Sequence, residues 1–322
     1  MSELKTNKIS TNSNNNVALD NSLGLKSYTT TQRNALTSAT GDMIYNSTDS
    51  KVQVYTGSAW EDLGATAFSI EYLILAGGGG GNTSDDTAHG AGGAGGYLCN
   101  VNGENSGGNT SAQPALFVPK STNLQVTVGS GGSSNSPGSK SEFTSIMSIG
   151  GGEGHDTQNS AGSAGSPNGR TSGGPTAAIT NNIAGQGSSS GEGVSYQGSG
   201  GAGGAGLASS ITGSSVTRGG GGGGGGTTGG AGGSGVGGDG GSGNNASGTS
   251  GTVNTGGGGG GSGILTGGTP GSGGSGTVIL RWATADATIG GTRTGLTDGG
   301  VQTDGSDSYI IFTAGTGTIS FS

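Results

Sequence analysis

The chain has 322 residues, of which 82 are glycine, whereas apolar residues make up only 27% and charged residues 9%. Its net charge of −8 disfavours nucleic acid and anionic membranes as partners, because both attract a cationic surface. No apolar run approaches the length of a membrane span, and the first residues lack the apolar core of a signal peptide. With one cysteine and two histidines, we expect a soluble protein without a disulfide framework, a metal or another cofactor.

The N-terminal region, residues 1–67, has an ordinary composition. Residues 29–36 are typical of a short capped helix, because a threonine before a helix-compatible run can accept a hydrogen bond from a free amide. The β-rich runs 43–45 and 52–55 flank a turn-forming cluster and predict a hairpin. A unit of this size buries little apolar surface, so oligomerisation would supply the missing core. Residues 1–16 favour disorder in isolation, with a docking peptide as the alternative.

The region 68–282 holds nearly all of the glycine and is framed by strands. An apolar run at 70–76 leads directly into glycine, and glycine leads directly into a second run at 277–282. A third β-rich run at 124–128 is also followed by glycine. This framing indicates a small sheet at one end of the glycine-rich region. Trp60 and Trp282 follow β patterns, which predicts that both are core residues.

Side chains return every third residue in much of this region, as in AGGAGGY at 91–97 and VGGDGGS at 236–242. Three residues per turn is the period of the polyproline II helix, which forms no internal hydrogen bonds. Each amide and carbonyl must therefore find a partner on a neighbouring helix. A lattice of such helices, with about 0.5–1.5 kcal/mol per hydrogen bond, can offset the high entropic cost of ordering glycine.

The uninterrupted glycines 219–226 have bare backbone in every direction, which predicts a position at the centre of the lattice. We therefore take Gly219, Gly222 and Gly226 as lattice-core residues. Alternating the direction of successive runs leaves the last one pointing away from the strand it should join, so at least one predicted turn is misplaced. The preceding Arg218 is expected to cap a helix end or to pair with an acidic side chain. Residues 283–322 return to alternating β-type sequence and predict a short C-terminal β segment.

Two parts of the chain resemble proteins of tailed bacteriophages. The sequence TTQRNALTSATGDMIYNSTDSKVQVYTGSAWEDL, at 30–63, is similar to a module that recurs in tail-fibre and other virion proteins. The runs that resemble the glycine-rich domain of phage fibres and adhesins are IEYLILAGGGGG (70–81), GAGGAGGY (90–97), LQVTVGSGG (124–132), KSEFTSIMSIGGGEG (140–154) and GGSGTVILRW (273–282). The end of the chain, SYIIFTAGTGTISFS at 308–322, looks like the closing β segment of such proteins.

The resemblance implies stacked polyglycine II helices whose end loops contact a bacterial receptor. It also implies that the N-terminal region is an attachment and trimerisation unit, and therefore a homotrimer joined to other virion proteins. We expect a mostly β and polyglycine II fold, with almost no α-helix, in three parts at 1–67, 68–282 and 283–322. The expected location is the virion tail or fibre.

Non-glycine inserts should form the loops at the ends of the lattice, where binding residues concentrate. These inserts are 82–89, 155–160, 176–197, 207–217 and 244–255. The residues predicted as receptor contacts are Asp85, Asp86, His89, His155, Asp156, Tyr196, Ile211, Asn244 and Asn245. For Tyr196, packing against the lattice edge is an equal alternative to contact with a receptor.

Two groups of candidate ligands, around Asp85 and around His155, match no known metal-ligand spacing, so we predict solvated side chains there. The acidic residues are dispersed, no nucleophile motif accompanies the histidines, and no phosphate-binding GxxxxGK[ST] sequence occurs. We therefore expect no enzyme activity. The predicted function is that of a phage fibre or adhesin subunit that recognises the host cell. The alternatives are a purely structural fibre or capsid decoration protein and, less compatible with the threonine distribution, an ice-binding protein.

Overall fold

The computed structural model describes residues 24–63, 67–83, 89–154, 198–265, 267–290 and 293–322. The chain divides into two compact units, Met1–Thr66 and Ala67–Ser322. The second unit includes residues 283–322, which were predicted to form a separate part, because the last strand pairs with a strand that frames the glycine-rich region. Within the described residues, no helix is long and apolar enough to cross a membrane.

The regular elements of the described residues are one α-helix, two single-turn 3-10 helices and nineteen strands. In chain order they are β1 Ser27–Tyr28, α1 Thr30–Asn34, β2 Met43–Asn46, β3 Lys51–Tyr55, β4 Trp60–Asp62, β5 Phe68–Leu75, β6 Tyr97–Cys99, β7 Asn105–Ser106, the 3-10 turn Gly107–Asn109, β8 Thr110–Ser111, β9 Leu116–Val118, β10 Leu124–Val128, β11 Ser141–Phe143, β12 Ile146–Ser148, β13 Leu207–Ser209, β14 Val216–Arg218, the 3-10 turn Gly233–Gly235, β15 Thr277–Ala283, β16 Ile289–Gly290, β17 Leu296–Asp298, β18 Gln302–Asp304 and β19 Asp307–Phe321. This content confirms the predicted fold class, in which β and glycine-rich structure dominate and α-helix is nearly absent.

In the N-terminal unit, strands β1 to β4 form one sheet in chain order. The predicted helix is confirmed as α1, which begins with a capping box: the Thr29 side chain accepts from the Gln32 amide, and the Gln32 side chain accepts from the Thr29 amide. The predicted hairpin is confirmed as β2 and β3, which pair antiparallel. Trp60 is only half-buried, so the prediction that it is a core residue is wrong; its ring lies 5.4 Å from that of Tyr55, centroid to centroid.

The main sheet of the second unit has the strand order β12, β11, β10, β19, β15, β5, β6. Strand β5 leads into the glycine-rich region and β15 follows it, and the two are antiparallel neighbours with Leu75 opposite Thr277. Strand β10, which also leads into glycine, belongs to the same sheet. The predicted sheet at one end of the glycine-rich region is therefore confirmed.

Both faces of this sheet are buried, because alternate side chains of β5 enter different clusters. Ile70, Tyr72 and Ile74 belong to a large cluster that also contains Trp282. Leu73 and Leu75 belong to a smaller cluster on the other face. The Trp282 indole Nε1 donates to the Ala287 carbonyl at 2.8 Å, which satisfies the polar atom of this ring and confirms it as a core residue.

Among the residues that the structure describes, twelve glycine-rich segments form a hydrogen-bonded lattice. Six run away from the sheet: 76–82, 129–135, 149–154, 219–226, 236–243 and 256–263. Six run back towards it: 89–96, 136–139, 198–206, 228–234, 246–252 and 268–276. The directions follow from hydrogen-bond registers such as Gly78 to Gly274 and Gly81 to Gly271, which run antiparallel. The alternation therefore closes, with the last run pointing into β15.

The 219–226 segment shows how the lattice is bonded. Its amides are donors to three neighbouring segments in rotation: Gly221 and Gly224 to 198–206, Gly222 and Gly225 to 89–96, and Gly223 and Gly226 to 236–243. Its carbonyls accept from two more segments, 228–234 and 256–263. Each neighbour is contacted at every third residue, which is the pattern of a helix with three residues per turn. Gly232, in another segment, has φ −68° and ψ 147°, which are polyproline II angles.

All residues of 219–226 are buried, but of the three predicted lattice-core residues only Gly222 lies in the middle of the lattice; Gly219 lies at the sheet end, near Tyr97 and Leu75, and Gly226 lies at the far-face end. A β-carbon added to Gly222 would lie 2.2 Å from the Gly259 carbonyl oxygen. Because that oxygen belongs to backbone, no side-chain movement could relieve the overlap. Close approach of backbone to backbone is therefore what requires glycine at the centre.

Outer segments replace missing neighbours with side-chain oxygens. Ser242 Oγ accepts from the Gly229 amide at 2.8 Å, and Ser234 Oγ accepts from the Gly206 amide at 3.0 Å. On another edge, Ser250 Oγ accepts from the Ser272 amide at 3.1 Å. The hydroxyl groups that interrupt the glycine therefore terminate the lattice where no further backbone lies within reach.

Candidate functional site

The six outgoing segments end on one face, opposite the sheet, which we call the far face. Its described residues are 82–83, 89–90, 134–136, 154, 198, 226–228, 242–246, 263–265 and 267–268. It contains the described reversals between outgoing and returning segments, such as those at 134–136, 226–228 and 242–246. A set of turns gathered at one end of a rigid lattice is the usual arrangement of a binding surface.

Hydrogen bonds connect these turns to one another. Asn135 accepts from the Thr83 amide through its side-chain oxygen at 3.1 Å, and its own amide donates to the Gly81 carbonyl at 2.9 Å. In another part of the face, the Asn245 amide donates to the Ile264 carbonyl at 2.8 Å. These hydrogen bonds therefore fix neighbouring turns relative to one another.

Three far-face reversals place a residue other than glycine in the left-handed region. Asn135 has φ 57° and Asn245 has φ 56°, which asparagine tolerates. Leu265 has φ 72° and a side chain that is 39% exposed. A bulky residue in this conformation costs about 1–3 kcal/mol, and such strain is found most often at functional sites. The Ser133 to Pro137 cluster was not among the predicted inserts, although its serine, asparagine and proline are turn signals.

His89, Asn244 and Asn245 are predicted contacts that lie on the far face. The two asparagines are exposed, whereas His89 is buried and its Nδ1 lies 2.7 Å from Ser262 Oγ. Burial lowers the pKa of His89, which favours the neutral imidazole near pH 7. His89 therefore supports the far face from within and offers little surface to a partner.

Ile211 is not a receptor contact. It follows strand β13, at the sheet end of the lattice, and is only 1% exposed. It packs with Leu73, Leu75 and Tyr97 in the smaller core cluster. The insert 207–217 is thus not an end loop but the β13–β14 hairpin, whose apolar residue completes a core.

The prediction that the insert 244–255 is a single end loop is also wrong. Only its first residues belong to the far face, and 246–252 is a returning lattice segment in which Gly248 and Gly251 donate to Thr269 and Ser272. Its serines and threonines lie at the exposed edge. The remaining predicted contacts, Asp85, Asp86, His155, Asp156 and Tyr196, lie outside the described residues, but residues 83, 89, 154 and 198, which flank them in sequence, lie on the far face.

The described far-face residues carry amide and hydroxyl groups and no Asp, Glu, Lys or Arg. Among the residues that the structure describes, no group of three His, Cys, Asp or Glu could hold a metal ion. Away from this face, burial raises the pKa of the Cys99 thiol to about 12, which leaves it protonated and unreactive. The described part of the far face therefore offers hydrogen bonding to a partner, together with the exposed apolar side chain of Leu265.

These features define a protein in which a lattice of polyglycine II segments extends from one end of a β-sheet. A family model, the glycine-rich domain, matches residues 53–283, which is more than half of the chain, and the protein belongs to that family. No curated protein and no solved structure matches the chain.

Proposed function

We propose that the protein is a tail-fibre or adhesin subunit of a bacteriophage virion and that its far face contacts the surface of the host cell. The observation that carries this proposal is that the described reversals from outgoing to returning segments lie together on the far face. At the opposite end, the reversals at Ser234 and Asn254 lie beside a sheet that is buried on both faces, whereas no sheet covers the turns of the far face.

Three further observations support binding as the task of this face. The turns are interlinked, one of them carries a strained and exposed leucine, and the residues beneath are held by backbone hydrogen bonds together with the buried His89–Ser262 contact. A rigid base that presents turns allows the turn residues to change without a change of fold. The proposed receptor is a protein or polysaccharide of the bacterial surface, and the proposed mode of action is binding without catalysis.

The proposed assembly is a homotrimer that joins other virion proteins through its N-terminal unit. The small size of this unit supports an assembly in which several copies share a core. The rival proposal is a structural fibre or capsid decoration protein, in which the reversals only terminate the lattice. It predicts a normal particle that adsorbs equally well whatever the far face carries.

The test compares substitutions at the two ends of the lattice. Asn244→Trp places a bulky side chain on the far face, and Val253→Trp places it on an exposed turn at the sheet end, where Val253 is 68% exposed. Both full-length proteins are labelled and mixed with susceptible and resistant cells. We expect at least a tenfold loss of adsorption for Asn244→Trp, or for replacement of 84–88 by Gly and Ser, and wild-type adsorption for Val253→Trp. If all variants adsorb equally to susceptible cells, or if the wild type adsorbs equally to susceptible and resistant cells, receptor binding is refuted.

A further inference from the structure

The sheet of the N-terminal unit buries polar side chains on one face. Asn46 and Gln53 are buried and joined by a hydrogen bond of 3.0 Å, and the Arg33 guanidinium of α1 donates to Gln53 at 2.9 Å. Of the residues 24–63 that the structure describes in this unit, Ile44 is the one buried hydrophobic side chain. The covered face of the sheet therefore supplies almost no hydrophobic core.

The opposite face exposes the apolar side chains of the same strands. Met43 lies opposite Val54 and Tyr45 lies opposite Val52, and paired residues in antiparallel strands share a face. The Leu63 amide donates to the Val52 carbonyl at 2.7 Å and continues the row. Met43, Tyr45 and Leu63 are 41%, 37% and 51% exposed. We call Met43, Tyr45, Val52, Val54 and Leu63 the apolar face.

In a stable isolated unit, a sheet buries its apolar face and exposes its polar face. The sheet of the N-terminal unit has the opposite arrangement. Contiguous exposed apolar surface marks an interaction site, whereas single exposed apolar residues do not. In the second unit, the large exposed apolar residues stand on separate elements: Phe117, Val253, Leu265 and Val301. The N-terminal unit therefore carries the contiguous patch that needs a cover.

We propose that the apolar face packs against the same face of further copies of this chain. This inference rests on the proposed homo-oligomeric fibre and names the surface that assembles it. The five residues of the face are uncharged, and Glu61, opposite Val54, is the acidic residue beside them. Identical copies can meet there with little repulsion, whereas a strongly charged partner would find no complementary group. Closed assemblies of identical chains are also the commonest oligomers.

A charge at the centre of the face tests the proposal. We expect light scattering of the full-length protein to give a multiple of the chain mass of 30.2 kDa, and Tyr45→Asp to reduce it to one chain mass at the same concentration. Phe117→Asp, at a residue 63% exposed in the second unit, adds the same charge and should leave the mass unchanged. Circular dichroism of both variants checks that they fold.

Cross-linking gives a second and positive readout. The chain has one cysteine, Cys99, which is buried, so a cysteine introduced at the surface is the reactive thiol. Leu63→Cys should form a disulfide-linked dimer under mild oxidation, and Val253→Cys at the same concentration should not. Equal cross-linking of the two variants would refute the proposed face.

Other results separate this inference from the proposed function. A wild-type protein that is monomeric, or a Tyr45→Asp variant of unchanged mass, overturns the interface even if the protein adsorbs to cells. If the wild type is a monomer and the Tyr45→Asp variant is lost from assembled particles, another virion protein covers the apolar face. This result also overturns the proposed interface between copies. An oligomer that adsorbs to no cell leaves the interface standing and refutes receptor binding.

Discussion

The sheet and the lattice of the second unit are stabilised by opposite means. The sheet holds its strands between two clusters of apolar side chains, with Leu280, Ile310 and Phe312 fully buried. The lattice has almost no side chains to bury and is held by backbone hydrogen bonds and close backbone contacts. A sheet of this kind is damaged by removing atoms, whereas the lattice is damaged by adding them.

The largest effect should follow from adding a side chain at the lattice centre. Gly222→Val brings a β-carbon to 2.2 Å from the Gly259 carbonyl oxygen, so segments must separate and break hydrogen bonds along their length. We expect a loss of more than about 4 kcal/mol in the free energy of unfolding, measured by urea denaturation, or no folded protein.

The matched control is Gly299→Val, where the nearest atom to an added β-carbon is Gln302 Nε2 at 3.7 Å. This variant should stay within about 0.5 kcal/mol of the wild type. If the two variants are equally stable, the 219–226 segment is not packed as described.

Removing atoms from the sheet should have the next largest effect. Leu280→Ala leaves a cavity in a fully buried cluster, and the expected loss is about 2–5 kcal/mol in the same denaturation experiment. The more conservative Ile310→Val should cost about 0.5–1.5 kcal/mol. A loss below that range for Leu280→Ala would mean that the sheet does not depend on side-chain packing.

The parts of the fold that sequence predicted are those with a local signal. Strands β5, β10 and β15 are apolar runs, and glycine in an unbroken run shows that no face of a segment can carry a side chain. The segment 246–252 was missed because it lies at the edge, where only the inward positions Gly248 and Gly251 must be glycine. Its outward serines and threonines gave it the composition of a loop.

The direction of each segment could not be predicted because the reversals are short. Ser234, with φ 49°, and Asn254, with φ 60°, reverse the chain within a few residues, and neither position stands out from its surroundings in sequence. Ile211 was misassigned for a related reason. A single apolar residue in a polar insert does not indicate whether it faces a partner or completes a core formed by distant strands.

Hydroxyl groups at the junction and at the edge should have smaller and unequal effects. Ser141 is buried, accepts from the Gly129 amide at 2.9 Å and donates to the Leu75 carbonyl at 2.7 Å. Ser141→Ala removes both hydrogen bonds and takes this acceptor from the buried Gly129 amide, and we expect a loss of about 1–3 kcal/mol in the free energy of unfolding. Ser242→Ala frees only the Gly229 amide at an exposed edge, where water can replace the hydroxyl, so the loss should stay below about 1 kcal/mol. Equal losses would show that burial does not set the value of these contacts.

The smallest effect should come from the loss of an ion pair, and it should depend on pH. We expect it in the sheet and not in the lattice, because none of the ion pairs described joins two lattice segments. Arg293 lies 2.8 Å from Asp298, and its hydrogen bond lowers the pKa of that carboxyl below the ordinary value of 3.8. A lowered pKa adds stability that is present above pH 3.8 and is lost as the pH falls through the folded-state pKa. Asp298→Asn should therefore cost about 1 kcal/mol at pH 7 and nothing at a pH well below the folded-state value. Asp286→Asn, at an exposed carboxyl, is the control and should match the wild type at both pH values. If the stability loss of Asp298→Asn is the same at both pH values, the loss comes from packing. The sheet and the lattice would then not differ in electrostatic stabilisation.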